Sequence, residues 1–398
     1  MKKRIRLSCL VLALLCMLVA CISPDTEPLP PNTNVATDTQ TEKTENTTDA
    51  SSDPLDPPSW ESAVAEAQRF FEKQNGERIV DHSKREYSYA EMQGDLEELA
   101  ALYGEHFSYR SFGRSVAGRE LYVAVLGDPQ AKQQILVSAG IHGREYLTPL
   151  LAMMQIEFTL YYYNVGAEDG ISYRDLLDNC CFYIVPMTNP DGIMLSQAGL
   201  NSLSDPALRE SVREVYNADF AKGYTSQTDI DEYLKYWKAN ARGVDLNRNF
   251  DALWEDYRSG ERVPCHKNHK GSAPASEPET QAMVALTESI PNLQAVLCLH
   301  SQGEVLYWDC GQPEPLHGRT YDFTASIAAA TRYEIVQERN NDASYSDWCA
   351  LKKGLIAITV ETGVGICPLD LDKLDAIWYD CFALLAQSAA YFYQASRL

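Results

Sequence analysis

At about 100 to 200 residues per domain, a chain of 398 residues allows two or three domains, provided every residue folds. Its 45% apolar and 23% charged residues are those of an ordinary globular protein, but a formal charge of −22 repels nucleic acid and anionic lipid. No basic cluster in the body of the chain offsets that charge, so nucleic-acid binding is excluded, and solubility accounts for most of the excess.

The chain opens on Lys2, Lys3, Arg4 and Arg6, then an apolar run over residues 7–20 that is too short to span a membrane. This predicts a secretory signal over residues 1–20. The run ends Leu18, Val19, Ala20, Cys21, which resembles the lipobox of bacterial lipoproteins. The resemblance implies cleavage before Cys21, lipidation of that cysteine, and attachment to the outer face of the cell membrane or to an outer membrane; a plain secreted protein is the alternative. Residues 21–59 are rich in Pro, Thr, Asn, Asp and Ser, with eight acids between Asp25 and Asp56 against Lys43. They bury too little apolar surface to offset the entropy of ordering and read as a flexible tether. Residues 60–84 predict a short helical segment, too short for a folded inhibitory prodomain. Roughly 340 residues are left to fold, and residues 85–398, without a second linker or a repeat, predict one domain.

Eleven cysteines sort by that map. Cys9 and Cys16 leave with the signal, Cys21 carries the lipid, and eight remain, an even number whose pairing sequence cannot rank. At most two bridges are expected, because Cys180 and Cys298 sit in apolar strand-like runs where a buried thiol is the commoner state.

Periodicity over residues 85–398 predicts a helix over 89–103, strands over 121–126 and 135–138, and a helix whose Thr148 and Pro149 look like N-cap and first turn. A strand over 182–186, a helix over 276–290 and strands over 293–299 and 355–361 follow. One long amphipathic helix then runs from Leu371, with Leu374, Trp378, Phe382 and Leu385 on one face. Because the strands around Ile184, Val185 and 356–360 are apolar on both faces, helices should cover both sides of the sheet. The expected fold is α/β, a single domain with a central mixed, twisted sheet between helical layers.

Just past the strand at 135–138 come Gly140, Ile141, His142, Gly143, Arg144 and Glu145. A His and a Glu three apart can turn an imidazole and a carboxylate to one side of a turn. A third ligand should follow another strand, and His300 does so at the end of 293–299. Two histidines and one glutamate leave the fourth zinc position open, as in catalytic rather than structural sites. A competing set, Cys265, His266 and His269, lies in a polar stretch with no strand beside it and reads as a solvated loop.

Three more stretches stand in order with these: Thr188 to Gly192, reading TNPDG; residues 237–250, reading WKANARGVDLNRNF; and Ile358 to Gly363, reading ITVETG. With HGRE and LHSQG they resemble the zinc metallocarboxypeptidases of the carboxypeptidase A type over about residues 85–398. The resemblance implies one Zn2+ per chain on His142, Glu145 and His300, with Glu361 as general base and acid. It implies Asn247 and Arg248 as the pair holding a free C-terminal carboxylate, a role that suits a guanidinium fork, and Arg144 as a cleft arginine. Two departures are evident. Lys238 stands where the family has the arginine that stabilises the oxyanion, with Arg242 the nearest arginine, so that role is open between them. Arg339 stands where the family has a mobile tyrosine, and Tyr345 is close in sequence without any sign that it substitutes.

An inserted helical segment around residues 206–216, together with WKANARGVDLNRNFD and HSQGEVLYW, looks more like the bacterial branch that cleaves γ-D-glutamyl to diamino acid bonds in peptidoglycan stem peptides. A cell-wall peptidase is therefore the leading expectation, with a peptide as substrate and no obligate protein partner. An ordinary metallocarboxypeptidase acting on extracellular peptides is the alternative of the same class. A peptide-binding lipoprotein without turnover is the alternative of another.

Overall fold

The computed structural model describes residues 60–72, 78–84, 86–163, 167–168, 171–258, 260–336 and 342–395. The signal over 1–20, Cys21, the tether over 21–59 and Arg339 lie outside them. Among the described residues no helix is long and apolar enough to cross a membrane.

Helices α1 (Trp60–Glu72) and α2 (Tyr89–Tyr103) precede the strands β1 (Phe107–Arg114), β2 (Glu120–Gly127) and β3 (Gln133–Ser138). The chain continues through α3 (Leu147–Tyr161), a small hairpin β4 (Ala167–Glu168) and β5 (Ile171–Ser172), α4 (Tyr173–Asn179), β6 (Cys180–Val185) and α5 (Pro190–Ala198). An excursion holding α6 (Pro206–Ala221) and α7 (Ile230–Leu234) leads to α8 (Pro278–Ser289), β7 (Leu293–His300), β8 (Val305–Tyr307) and α9 (Leu316–Thr331). The last elements are β9 (Glu334–Ile335), α10 (Tyr345–Lys353), β10 (Ile356–Glu361), α11 (Leu374–Cys381) and α12 (Leu384–Ala395). The eight-stranded sheet has the order β1-β2-β6-β3-β7-β10-β8-β9. Its centre, β6, β3, β7 and β10, is parallel, while β1 against β2, β2 against β6 and β8 against β10 are antiparallel.

Both faces of the sheet are covered, as strands apolar on both sides require. Ile135, Val137, Leu297, Leu299, Ile358 and Val360 join one core with α3, α9, α11 and α12. The alternate residues Leu136, Val296, Cys298 and Ala357 join another with α8 and α10. A satellite cluster of Leu200, Val212, Val215, Tyr233, Leu234 and Trp237 anchors the excursion. The mixed, twisted α/β architecture expected from sequence is thus the one present.

Local differences have physical causes. β1 escapes periodicity because Phe107 alone of its residues is fully buried; it is an edge strand held by its ladder to β2. Thr148 is not the N-cap of α3. Tyr146 takes that place, and the Thr148 hydroxyl donates to the Glu145 carbonyl (2.9 Å) and accepts from the Gly140 N–H (3.0 Å). The C-terminal helix is two segments, α11 and α12, with a jog at Phe382, whose φ −58° and ψ −34° keep the chain right-handed. Helix α1 packs into the same core as α3 and α11: Phe70 stacks on Trp378 at 5.4 Å, and Trp378 Nε1 donates to the Ala67 carbonyl at 3.1 Å. The Glu157 carboxylate of α3 then takes the N–H groups of Ile79 and Val80 at 2.8 and 3.0 Å. All eight cysteines from Cys180 onward are free and buried, so none of these elements depends on a bridge.

Candidate active site

Ligands of open α/β sheets collect beyond the carboxyl ends of parallel strands, and three chemistry-bearing residues lie there. His300 is the last residue of β7, Glu361 is the last of β10, and parallel register pairs the two. From the end of β3 the chain turns through Gly140, at φ +61°, to reach His142 and Glu145. The turn closes only with glycine at 143, where a Cβ would collide with the carbonyl oxygens of Gly192 and Trp237. Asn189 locks it from below: its amide donates to the Ile141 and Ala239 carbonyls at 3.1 and 3.0 Å.

His142, Glu145 and His300 converge, with one ligand atom from each within 4.8 Å of the others and all three buried. Both imidazoles turn Nδ1 to the same carboxylate, His142 at 2.7 Å and His300 at 2.9 Å. Each far nitrogen is also engaged: His142 Nε2 meets Asp245 Oδ1 at 3.1 Å, and His300 Nε2 lies 3.4 Å from Asn247 Nδ2. Two oriented imidazoles and one carboxylate fit a zinc ion, and a carboxylate behind a ligand histidine is the usual device for holding its ring. Burial lowers the pKa of His142 despite Glu145, which favours the neutral, ligating form. Burial would lower His300 too, but the Glu145 carboxylate outweighs it and raises the value. Burial works against the Glu145 charge, yet the two histidines hold its carboxyl well below the ordinary range.

Asp245 was not evident from sequence, although it stands three residues before Arg248 in the same motif. It is fully buried, caps the turn Leu246–Arg248 through the Asn247 N–H at 3.1 Å, and takes the Asn268 N–H at 3.0 Å. Burial raises its pKa, but His142 and Lys238 overcome that and keep it ionised.

Beside the triad a cleft is lined by His142, His300, Glu361, Lys238, Asn247 and Arg248 and reaches Asp309, Asp342, Ser346, Asp347 and Thr359. Burial pushes the Glu361 carboxyl up to about 7, with the nearby His300 opposing that rise and Glu145 adding to it. Arg248 donates through Nε to the Tyr257 hydroxyl at 3.1 Å and faces Asp342 at 3.1 Å. Burial disfavours its charge, but Asp245 and Asp342 outweigh that and raise its pKa. Asn247 gives its carbonyl to the Tyr345 N–H at 3.0 Å, which fixes its amide at the cleft wall.

The remaining sequence candidates are placed differently, with Arg144 still near enough to Glu361 to act on its charge. Arg144 lines a neighbouring cavity with Tyr224, Tyr236 and His266, and its Nε is buried without a partner among the described residues. Arg242 is half exposed and faces Glu277 at 3.5 Å, away from the cleft, whereas Lys238 lines it. Tyr345 points into the core, its hydroxyl 2.6 Å from Thr287 Oγ1, and does not face the cleft. Cys265, His266 and His269 are buried, at 1%, 6% and 8% exposure, so the expected solvated loop is corrected. His269 is turned away from the other two, its Nδ1 donating to the Glu261 carbonyl at 2.9 Å.

Gamma-D-glutamyl-L-diamino acid endopeptidase 1 of Lysinibacillus sphaericus is 29% identical over 309 residues, which cover 77% of this chain and 73% of its own length. Among solved structures, thrombin activatable fibrinolysis inhibitor superposes with a TM-score of 0.62 at 18% identity, covering 83% of this chain and 80% of its own. Carboxypeptidase A from Helicoverpa armigera superposes with a TM-score of 0.56 at 18% identity, covering 83% and 79%. Identities this low speak for the fold. The zinc carboxypeptidase family model matches residues 92–364, a span that holds the converging triad, Arg248 and Glu361, and the chain belongs to that family of hydrolases.

Proposed function

We propose that this zinc-family peptidase cleaves the bond preceding a diamino acid that bears a free carboxylate, in peptidoglycan stem peptides. The observation that carries the reading is the lining of the cleft beyond Arg248. Asp309, Asp342 and Asp347, with Ser346 and Thr359, share that lining with Tyr307, Trp308, Cys310 and Ala357, around the place where the side chain of the carboxylate-bearing residue would sit. Three carboxyl groups on one wall suit a side chain that carries an apolar stem and ends in a charged amine. The relative named for γ-D-glutamyl-L-diamino acid cleavage supports the same substrate class. Lipidation at Cys21 and export, read from sequence, would place the enzyme beside that substrate.

His142, Glu145 and His300 would hold zinc, which when bound supplies Lewis acidity at the scissile carbonyl and acidifies water. Arg248, with Asn247 beside it, binds the substrate carboxylate bidentately in place of Asp342. Lys238, which lines the cleft together with Arg248, can receive the developing oxyanion. Glu361 takes a proton from the attacking water and returns it to the leaving nitrogen, a task suited to a carboxyl near neutrality.

Purified protein given a γ-D-Glu-diaminopimelate peptide should release the diamino acid portion faster than it hydrolyses an all-L peptide of equal length. Turnover of only the all-L peptide would overturn the assignment in favour of an ordinary carboxypeptidase. Arg248→Ala should lose about 3 kcal/mol of binding to a free carboxylate, roughly 100-fold in kcat/KM and mostly through KM. A carboxyl-amidated substrate should show no such difference between the two proteins; an equal loss on both substrates would remove Arg248 from this role.

A further inference from the structure

Outside the cleft, the excursion between β6 and α8 brings together a second set of ligand-type side chains: Asp219 on α6, and Cys265 and His266 on the loop before α8. One ligand atom of each lies within 4.8 Å of the others, and all three residues are buried. Cys265 Sγ is 3.4 Å from Asp219 Oδ2 and 3.7 Å from His266 Nδ1, while His266 Nδ1 is 2.7 Å from the same Asp219 Oδ2. A tetrahedral zinc with bonds of about 2.0 to 2.3 Å sets its ligand atoms roughly 3.4 to 3.6 Å apart. The two edges that include sulfur are already near that length. The third is contracted into an imidazole-carboxylate hydrogen bond, as are the two edges of the His142, Glu145 and His300 triad at 2.7 and 2.9 Å.

The carboxylate is built to serve as a ligand. Its Oδ2 is held by the Tyr233 hydroxyl at 2.7 Å and by the His266 N–H at 3.2 Å, and its Oδ1 faces the Cys265 thiol at 3.3 Å. His266 lines one cavity, Cys265 lines the next, and Tyr224 and Lys267 border both, so water has access for a fourth position.

We propose that Asp219, Cys265 and His266 form a second binding site for a divalent, thiophilic metal ion, zinc by the softness of its donors, distinct from the ion of the cleft. The ion takes the thiolate, one imidazole nitrogen and an oxygen of the Asp219 carboxylate, with release of the thiol proton to solvent. It ties α6 to the loop at 265–266, and that loop carries the cleft wall: the His266 carbonyl accepts the N–H groups of Lys238 and Ala239 at 2.9 and 3.0 Å. The site therefore braces Lys238 without touching substrate.

Zinc-saturated, gel-filtered full chain should carry two zinc ions by elemental analysis. Cys265→Ala and His300→Ala should each carry one. Cobalt replacement separates the sites further, because the cleft triad has no sulfur ligand. The near-ultraviolet thiolate-to-cobalt band should appear in the wild type and in His300→Ala and vanish in Cys265→Ala. Asp219→Asn, which keeps the Tyr233 hydrogen bond, serves if Cys265→Ala does not fold, and should also carry one zinc. A single zinc in the wild type that disappears in His300→Ala overturns the second site, as does a thiolate band that persists in Cys265→Ala.

Discussion

Replacing Glu361 by Gln is expected to leave the cleft zinc in place and to cut kcat/KM by about 10³- to 10⁴-fold, the upper part of what a positioned general base contributes. The amide is nearly isosteric and Glu361 is not one of the three converging ligands, so metal content measured on the same preparation should not change. The pH profile adds a second readout. Glu361 acts only when ionised, so wild-type activity should fall as pH drops through its pKa. Burial, opposed in part by the neighbouring cations, pushes that value to about 7, and a divalent cation beside it pulls it lower, so the acid limb should lie at or below neutrality. Residual activity of Glu361→Gln should lack this limb. A Gln variant with near-normal turnover would refute the assignment.

The second large effect is expected at His300. Its removal to Ala deletes one of three protein ligands and leaves the Glu145 carboxylate facing a cavity where its partner stood. Zinc affinity at the cleft should fall by more than the roughly 10- to 100-fold typical of losing a partner behind a ligand, and hydrolysis should fall with it. Metal binding is coupled to the protonation of its ligands, so adding zinc should restore activity better at higher pH. Asp245→Asn gives the graded comparison, since it keeps all three ligands but weakens the anchor on His142 Nε2. An undiminished zinc content at the cleft in His300→Ala would count against the site.

These residues differ in how legible they were. His142 and Glu145 share one turn, and His300 and Glu361 end strands whose apolar runs are plain in sequence, so their meeting follows from parallel register. Asp245 and Asp342 gave no such signal. An acid becomes an anchor or a counter-charge only when a distant segment folds against it, and His142 and Asp245 are 103 positions apart. Arg242 shows the reverse: adjacency in a motif does not decide which way a long side chain extends, and it turns to Glu277 instead of the cleft. Tyr345 lies near the segment from which the family's tyrosine comes, yet aromatic packing against Phe250 and Trp348 draws it inward. The strands apolar on both faces announced a covered sheet, while β1 carried too little buried surface to be seen.

Helix α1 bears on where a fragment for laboratory work can begin. A cut at residue 85, where sequence sets the start of the catalytic region, would strip Phe70 from Trp378 and take the Ile79 and Val80 N–H groups away from the Glu157 carboxylate. Losing a buried phenylalanine alone removes about 3 to 5 kcal/mol, a large share of the 5 to 15 kcal/mol that holds a typical domain folded. An expression boundary ahead of Trp60 keeps that shell closed, and failure of a shorter fragment would report on its missing lid of helix rather than on the chemistry of the cleft.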